Sequence, residues 1–132
     1  LFSGTPGVRL FGEPSGLQGG PHRDNFWLTS IVIDSLVAGF SAEDLRAALA
    51  DADIEARPLW KPMHAQPVFA SARAYLDGTS DRLFRTGLSL PNGSALNVEQ
   101  VRRIDDAVGR LLERRFEAAT RRLNAHTQAG DR

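Results

Sequence analysis

At 132 residues the chain is long enough to bury one core and too short for two, so a single domain over residues 1–132 is expected. Lys plus Arg and Asp plus Glu each total 16, so no global field gathers nucleic acid or an anionic membrane, and any anionic partner must be met by a local site. Cysteine is absent, which excludes disulfides, thiolate metal sites and cysteine nucleophiles and fits a reducing compartment; no stretch has the ~20 apolar residues of a membrane span or the layout of a signal peptide.

The opening string LFSGTPGVRLF has no initiator Met and begins on two apolar residues, as a piece of a longer protein would. Residues 8–11 are a short apolar run suited to an edge strand, and GEPSGLQGGP at residues 12–21 reads as a mobile loop. Residues 26–33 are apolar at nearly every position and rich in β-branched side chains, the pattern of a central strand covered on both faces. Ser41 then opens S-A-E-D, whose hydroxyl caps a helix while Asp44 reaches back to the capping residue. That helix should run over about residues 42–52, with Leu45 and Leu49 on its buried side. A second strand at residues 55–60 completes a strand, helix, strand unit whose two strands suit a parallel arrangement in one sheet.

After a proline-rich segment, residues 71–86 read as helical in part, broken by Gly78, and GLSLP at residues 87–91 as a short strand. Asn97 opens N-V-E-Q, with Gln100 in place for a second capping box. The helix it starts, about residues 98–123, is the longest element, and its tail after Asn124 should fray. Val101, Ile104, Val108, Leu111, Leu112, Phe116, Ala119 and Leu123 form its apolar stripe. The order predicts an α+β fold, a small mixed sheet with helices packed on it, which by itself implies no function.

Seven arginines fall on the last helix, namely Arg102, Arg103, Arg110, Arg114, Arg115, Arg121 and Arg122. Asp105, Asp106, Glu113 and Glu117 are interleaved at pairing distance along it, so a solvated face is favoured over a nucleic-acid reader. His22, His64 and His126 are too dispersed for a local metal motif, and Ser94 in NGSAL lacks the flanks of a nucleophile elbow.

The segment ARPLWKPMHAQPVF at residues 56–69 is different. Pro58, Pro62 and Pro67 each forbid an uninterrupted helix and disfavour a central strand. Trp60 and Phe69 suit core plugs as well as they suit a ligand surface. Arg57, Lys61 and His64 favour the second reading, because three cations in eight residues are costly to bury unless something anionic meets them. A stiff loop with an aromatic face and anion donors suits a phosphorylated or nucleotide-bearing ligand.

The strings NFWLTSIVID, RPLWKPMHAQPVF and GLSLPNGSALNVEQVRRI, in this order between about Val8 and Val108, closely resemble the C-terminal part of the DegT/DnrJ/EryC1/StrS family of pyridoxal-phosphate-dependent sugar aminotransferases. The resemblance implies a fold-type-I enzyme whose large domain, with the Schiff-base lysine, is not part of this chain, so that Lys61 is not the catalytic lysine and the chain alone is inactive. It implies transfer of an amino group from an amino acid, typically glutamate, to a nucleotide-linked 4-keto-6-deoxy sugar, by a cytoplasmic homodimer that binds neither nucleic acid nor membrane. Carried over to this chain, Arg57 and Lys61 would face diphosphate oxygens, Trp60 the sugar or base, and His64 would be a polar contact or a loop anchor. Asn25 and Trp27 would fix the start of the central strand. Ala65 stands where the family has Leu, and Ser89 and Asn92 fall at varied positions, which leaves the substrate open. Three alternatives stand beside this reading: Lys61 as an activated amine, a non-catalytic module that binds a nucleotide sugar or a protein, and a family member that regulates without aminating.

Overall fold

A computed structural model describes residues 1, 2, 4–11 and 27–130, with the backbone alone described at residues 122, 123 and 125–130. The fold is α+β, built on a four-stranded antiparallel sheet in the order β1-β2-β4-β3. The strands are β1 (Val8–Leu10), β2 (Ser30–Ile33), β3 (Arg57–Pro58) and β4 (Gly87–Ser89). The helices are α1 (Ser35–Ala38), α2 (Ala42–Ala50), α3 (Thr79–Thr86) and α4 (Val98–Gly130), with two 3-10 turns, Met63–Ala65 and Pro67–Phe69, between β3 and α3.

All four residues of β2 are buried, Ile31, Val32 and Ile33 as their apolar pattern demands and Ser30 with its hydroxyl bonded to Ser89, but the strand begins only at Ser30, residues 27–29 lying outside it; β1 is the expected edge strand. The expected loop at residues 12–21, and Asn25 and Phe26, lie outside the described residues. β2 and β3 do run in the same direction, since each is antiparallel to β4, but they are not neighbours. β4 is inserted between them, so the β2-α2-β3 unit is a split one. β3 is also shorter than residues 55–60 and ends at Pro58, which cannot donate to a ladder.

By register, Val8, Leu10, Ile31, Ile33, Leu88 and Pro58 share one face of the sheet. Ile31, Ile33 and Leu88 there meet α2 and α4 in a core completed by Phe40, Leu45, Leu49, Ile104, Val108 and Leu111. Full burial of an aliphatic side chain of this size contributes roughly 1.5–3 kcal/mol. The other face carries Ser30, Val32, Gly87, Ser89 and Arg57, and Ser30 and Ser89 share a hydroxyl hydrogen bond of 2.9 Å across it. Gly87 packs there against Leu59 and Leu83.

Both capping boxes form. Asp44 N–H donates to Ser41 Oγ (3.1 Å) and Ser41 N–H to Asp44 Oδ2 (2.9 Å), while Gln100 N–H donates to Asn97 Oδ1 and Asn97 N–H to Gln100 Oε1, each at 2.9 Å. The Ser41 backbone N–H, opposed in part by desolvation, holds the Asp44 carboxyl below its ordinary range. A folded-state pKa below the unfolded one, about 3.9, means that this stabilisation is present above that value and is lost as pH falls through the folded pKa. Thermal denaturation between pH 5 and pH 3 should therefore show an acid decline that is shallower in Asp44→Asn than in the wild type.

Four further expectations change. Residues 71–78 are not helical: Gly78 adopts φ 78°, Asp77 accepts from Thr79 N–H at 2.9 Å, and α3 begins only at Thr79. The last helix reaches Gly130 rather than ending near residue 123. Among the described side chains its stripe is buried only from Ile104 to Leu111, since Val101 is 42% and Phe116 76% exposed. The arginines do not simply pair along α4. Arg121 reaches Glu117 one turn away (3.9 Å), but Arg115 crosses to Asp44 (3.2 Å), and Arg103 donates to the Ala52 carbonyl and lies 3.9 Å from the Asp53 carboxylate.

Candidate functional site

The loop after β3 is held at two points. Leu59 lies against Gly87, where a Cβ would come within 2.3 Å of Leu59 Cδ1, so only a glycine leaves room for this contact. Five residues on, His64 Nε2 lies 3.0 and 3.1 Å from the two carboxylate oxygens of Asp81 in the first turn of α3. A carboxylate accepts only, so Nε2 is the donor. Pro62 is buried between these points, and its ring fixes the backbone that carries Lys61.

What the two anchors present is exposed. Trp60 is 71% and Trp27 67% accessible, and their rings pack on one another with centroids 6.0 Å apart at 36°. Trp60 is thus not a core plug, and the Trp27 ring belongs to this surface rather than lying beneath the strand; its backbone carbonyl, which accepts from Asn92, is the part that ties β2 to the turn after β4. Phe69 is half-buried and, with Met63, His64, Tyr75 and Leu76, lines a groove of about 320 Å³.

The three cations have separate fates, and none is buried at the cost the sequence suggested. Arg57 is exposed and bound to Glu55 by Nε and by its terminal nitrogen, both at 2.7 Å. It lines a second groove, of about 600 Å³, with Ile54, Leu90, Gln100, Arg103 and Ile104. His64 is half-buried against Asp81. Lys61 is exposed, and among the described residues its amine has no hydrogen-bond or ion-pair partner. The structure therefore sets Trp60 and Lys61 side by side on an anchored turn, with Arg57 and His64 committed to protein carboxylates on either side.

Residues 10–109 match the model of the DegT/DnrJ/EryC1/StrS aminotransferase family. The chain belongs to this family. It is 39% identical over 93 residues to EpsN of Bacillus subtilis (strain 168), named as a pyridoxal phosphate-dependent aminotransferase; the match covers 67% of this chain and 21% of EpsN. Among solved structures it is similar to DesV of S. venezuelae in complex with a ketimine intermediate (TM-score 0.62, 26% identity, 85% of this chain and 28% of that one). The aminotransferase TlmJ of Streptoalloteichus hindustanus shares the fold (TM-score 0.64, 20% identity, 89% of this chain and 28% of that one). The chain thus spans about a fifth to under a third of the length of these relatives.

Lys61 does not fit the Schiff base through which the cofactor of that family is held. A lysine that forms a Schiff base is activated by desolvation or by a neighbouring cation. Lys61, the chain's single lysine, stands in solvent, and the guanidinium of Arg57 is turned to Glu55. The activated-amine reading of Lys61 thus has neither device in place. Among the described residues there is also no group of three or more His, Asp or Glu that could hold a metal ion, and no helix is long and apolar enough to cross a membrane.

Proposed function

We propose that this chain is the C-terminal domain, residues 1–132, of a pyridoxal-phosphate-dependent aminotransferase that moves an amino group from an amino acid, glutamate, to a nucleotide-linked 4-keto-6-deoxy sugar in surface-glycan or antibiotic-sugar biosynthesis. The observation that carries the reading is the exposed amine of Lys61, without a partner among the described residues, beside the exposed Trp60 ring, on a turn held by Gly87 and Asp81 within the family's matched region. When bound elsewhere in the intact protein, the cofactor supplies the electron sink. The residues of this chain receive the acceptor. Lys61 supplies a point charge to the diphosphate, Trp60 a face for sugar or base, and Arg57 a second cation, since an exposed ion pair such as that with Glu55 is worth only about 0–1 kcal/mol and yields readily to a phosphate.

Trp27, Trp60, Met63, Val68, Tyr75 and Leu76 are each more than half exposed. This apolar surface supports contact with the rest of the intact protein, which we read as a cytoplasmic homodimer. The test is a pair of half-reactions on the full-length gene product: glutamate should convert the bound pyridoxal phosphate to its amine form by absorbance, and a nucleotide 4-keto-6-deoxy sugar should reverse the change. A protein that binds the nucleotide sugar but completes neither half-reaction would make it a binding module instead.

A further inference from the structure

We propose that Asp81 is a positioning residue for the acceptor: through His64 it sets the turn that presents Lys61 and Trp60 to a nucleoside diphosphate. This deepens the reading above and rests on it. His64 Nε2 sits between both oxygens of Asp81 at 3.0 and 3.1 Å, with side chains only 21% and 33% exposed, so the bond is sheltered more than the surface pairs of α2 and α4. The carboxylate itself stands on a fixed base. Asp77 accepts from the backbone and hydroxyl of Thr79 at 2.9 and 3.1 Å, Gly78 takes the positive φ that turns the chain into α3, and α3 runs without a break into β4. An acidic side chain in the first turn also suits the positive end of that helix.

His64 is the middle of the 3-10 turn Met63–Ala65, which starts two residues after Lys61. The turn is closed by Ala65 N–H on the Pro62 carbonyl (3.0 Å) and Gln66 N–H on the Met63 carbonyl (3.0 Å), and Gln66 Nε2 donates back to the Lys61 carbonyl (3.3 Å). Moving His64 therefore moves the backbone that carries Lys61. Because Asp81 occupies Nε2, the ring meets any ligand through Nδ1 alone. Asp81 is 17 residues from His64 in sequence, and among the described residues its carboxylate bonds to His64 and not to Lys61 or Trp60, so it acts by holding the turn.

The test measures binding of UDP and of dTDP, by calorimetry, to the full-length protein and its variants. Asp81→Ala should weaken the diphosphate that the wild type binds by about tenfold, and Asp81→Glu, which keeps the acceptor oxygens, should stay within about threefold. In the Asp81→Ala background, Lys61→Ala should lose much less than it does alone, since the two act as one unit. A purely structural Asp81 would lower the melting temperature but leave the Lys61→Ala loss unchanged in either background, and that additivity would overturn the positioning role. Equal affinity in wild type and Asp81→Ala would overturn it as well. A wild type that binds neither diphosphate would instead overturn the functional reading on which it rests, and the two failures are told apart by whether the defect is present before any substitution.

Discussion

Gly87→Ala is expected to destabilise the protein by about 2–3 kcal/mol and to lower its melting temperature by roughly 10 °C. The reason is space and not conformation, because Gly87 has φ −100°, which any residue adopts. A Cβ would stand 2.3 Å from Leu59 Cδ1 and 2.6 Å from both Leu59 Cγ and the Leu83 carbonyl oxygen. The leucine side chain can swing away, but the carbonyl is part of α3 and moves only with the helix or with β4, whose ladder to Val32 starts at this residue. The cost therefore falls on the junction that orients both anchors of the loop, and binding of nucleotide sugar should weaken together with stability. Gly93→Ala is the control: a Cβ there meets nothing within 4 Å, and its effect should stay within about 0.5 kcal/mol. Equal melting temperatures for the two variants would show that Leu59 is not seated on Gly87.

The parts of this fold that could be read from sequence are those settled within a few residues. Ser41 with Asp44, and Asn97 with Gln100, form capping boxes because donor and acceptor are three positions apart and need no help from the rest of the chain. The direction of β2 relative to β3 was legible for a similar reason, since one short helical crossover, α1 and α2, joins them. The insertion of β4 was not, because its pairing with β2 joins Ser30 to Ser89 across 59 residues with no local mark. Periodicity likewise told which side of α4 is apolar but not how far the sheet and α2 extend to cover it, so Phe116 carries the right spacing and is still 76% exposed.

The same limit shaped the site. Three cations close in sequence suggested one anion-facing cluster, but the chain supplies its own anions: Glu55 takes Arg57 from two residues away, and Asp81 takes His64 from 17 away. Only the second of these was beyond local reading. Gly87 marked a strand start in GLSLP without revealing that Leu59 needs its missing side chain. The family resemblance pointed to the same segment, and the geometry separates its members into two that present themselves to solvent and two that are bound to protein carboxylates.

In the full-length protein, Lys61→Ala is expected to lower kcat/KM for the nucleotide sugar by about 10- to 100-fold, the loss that follows from removing a charge-assisted hydrogen bond worth about 1.5–3 kcal/mol. The loss should appear mainly in KM, because a diphosphate is held equally before and during the chemistry, and an interaction common to both states changes binding without changing turnover. Trp60→Ala should behave in the same way, whereas Arg57→Ala should cost less, since Arg57 must first leave Glu55 to meet a phosphate. The amino-donor half-reaction and the absorbance of the bound cofactor should be unchanged in all three, because Lys61 stands in solvent on the acceptor turn and holds no cofactor on this reading. The decisive comparison is thus between the two half-reactions of Lys61→Ala. If the donor half-reaction fails along with the cofactor absorbance, Lys61 is the attachment lysine after all; if both halves proceed with an unchanged acceptor KM, the turn built on Gly87 and Asp81 serves some other ligand.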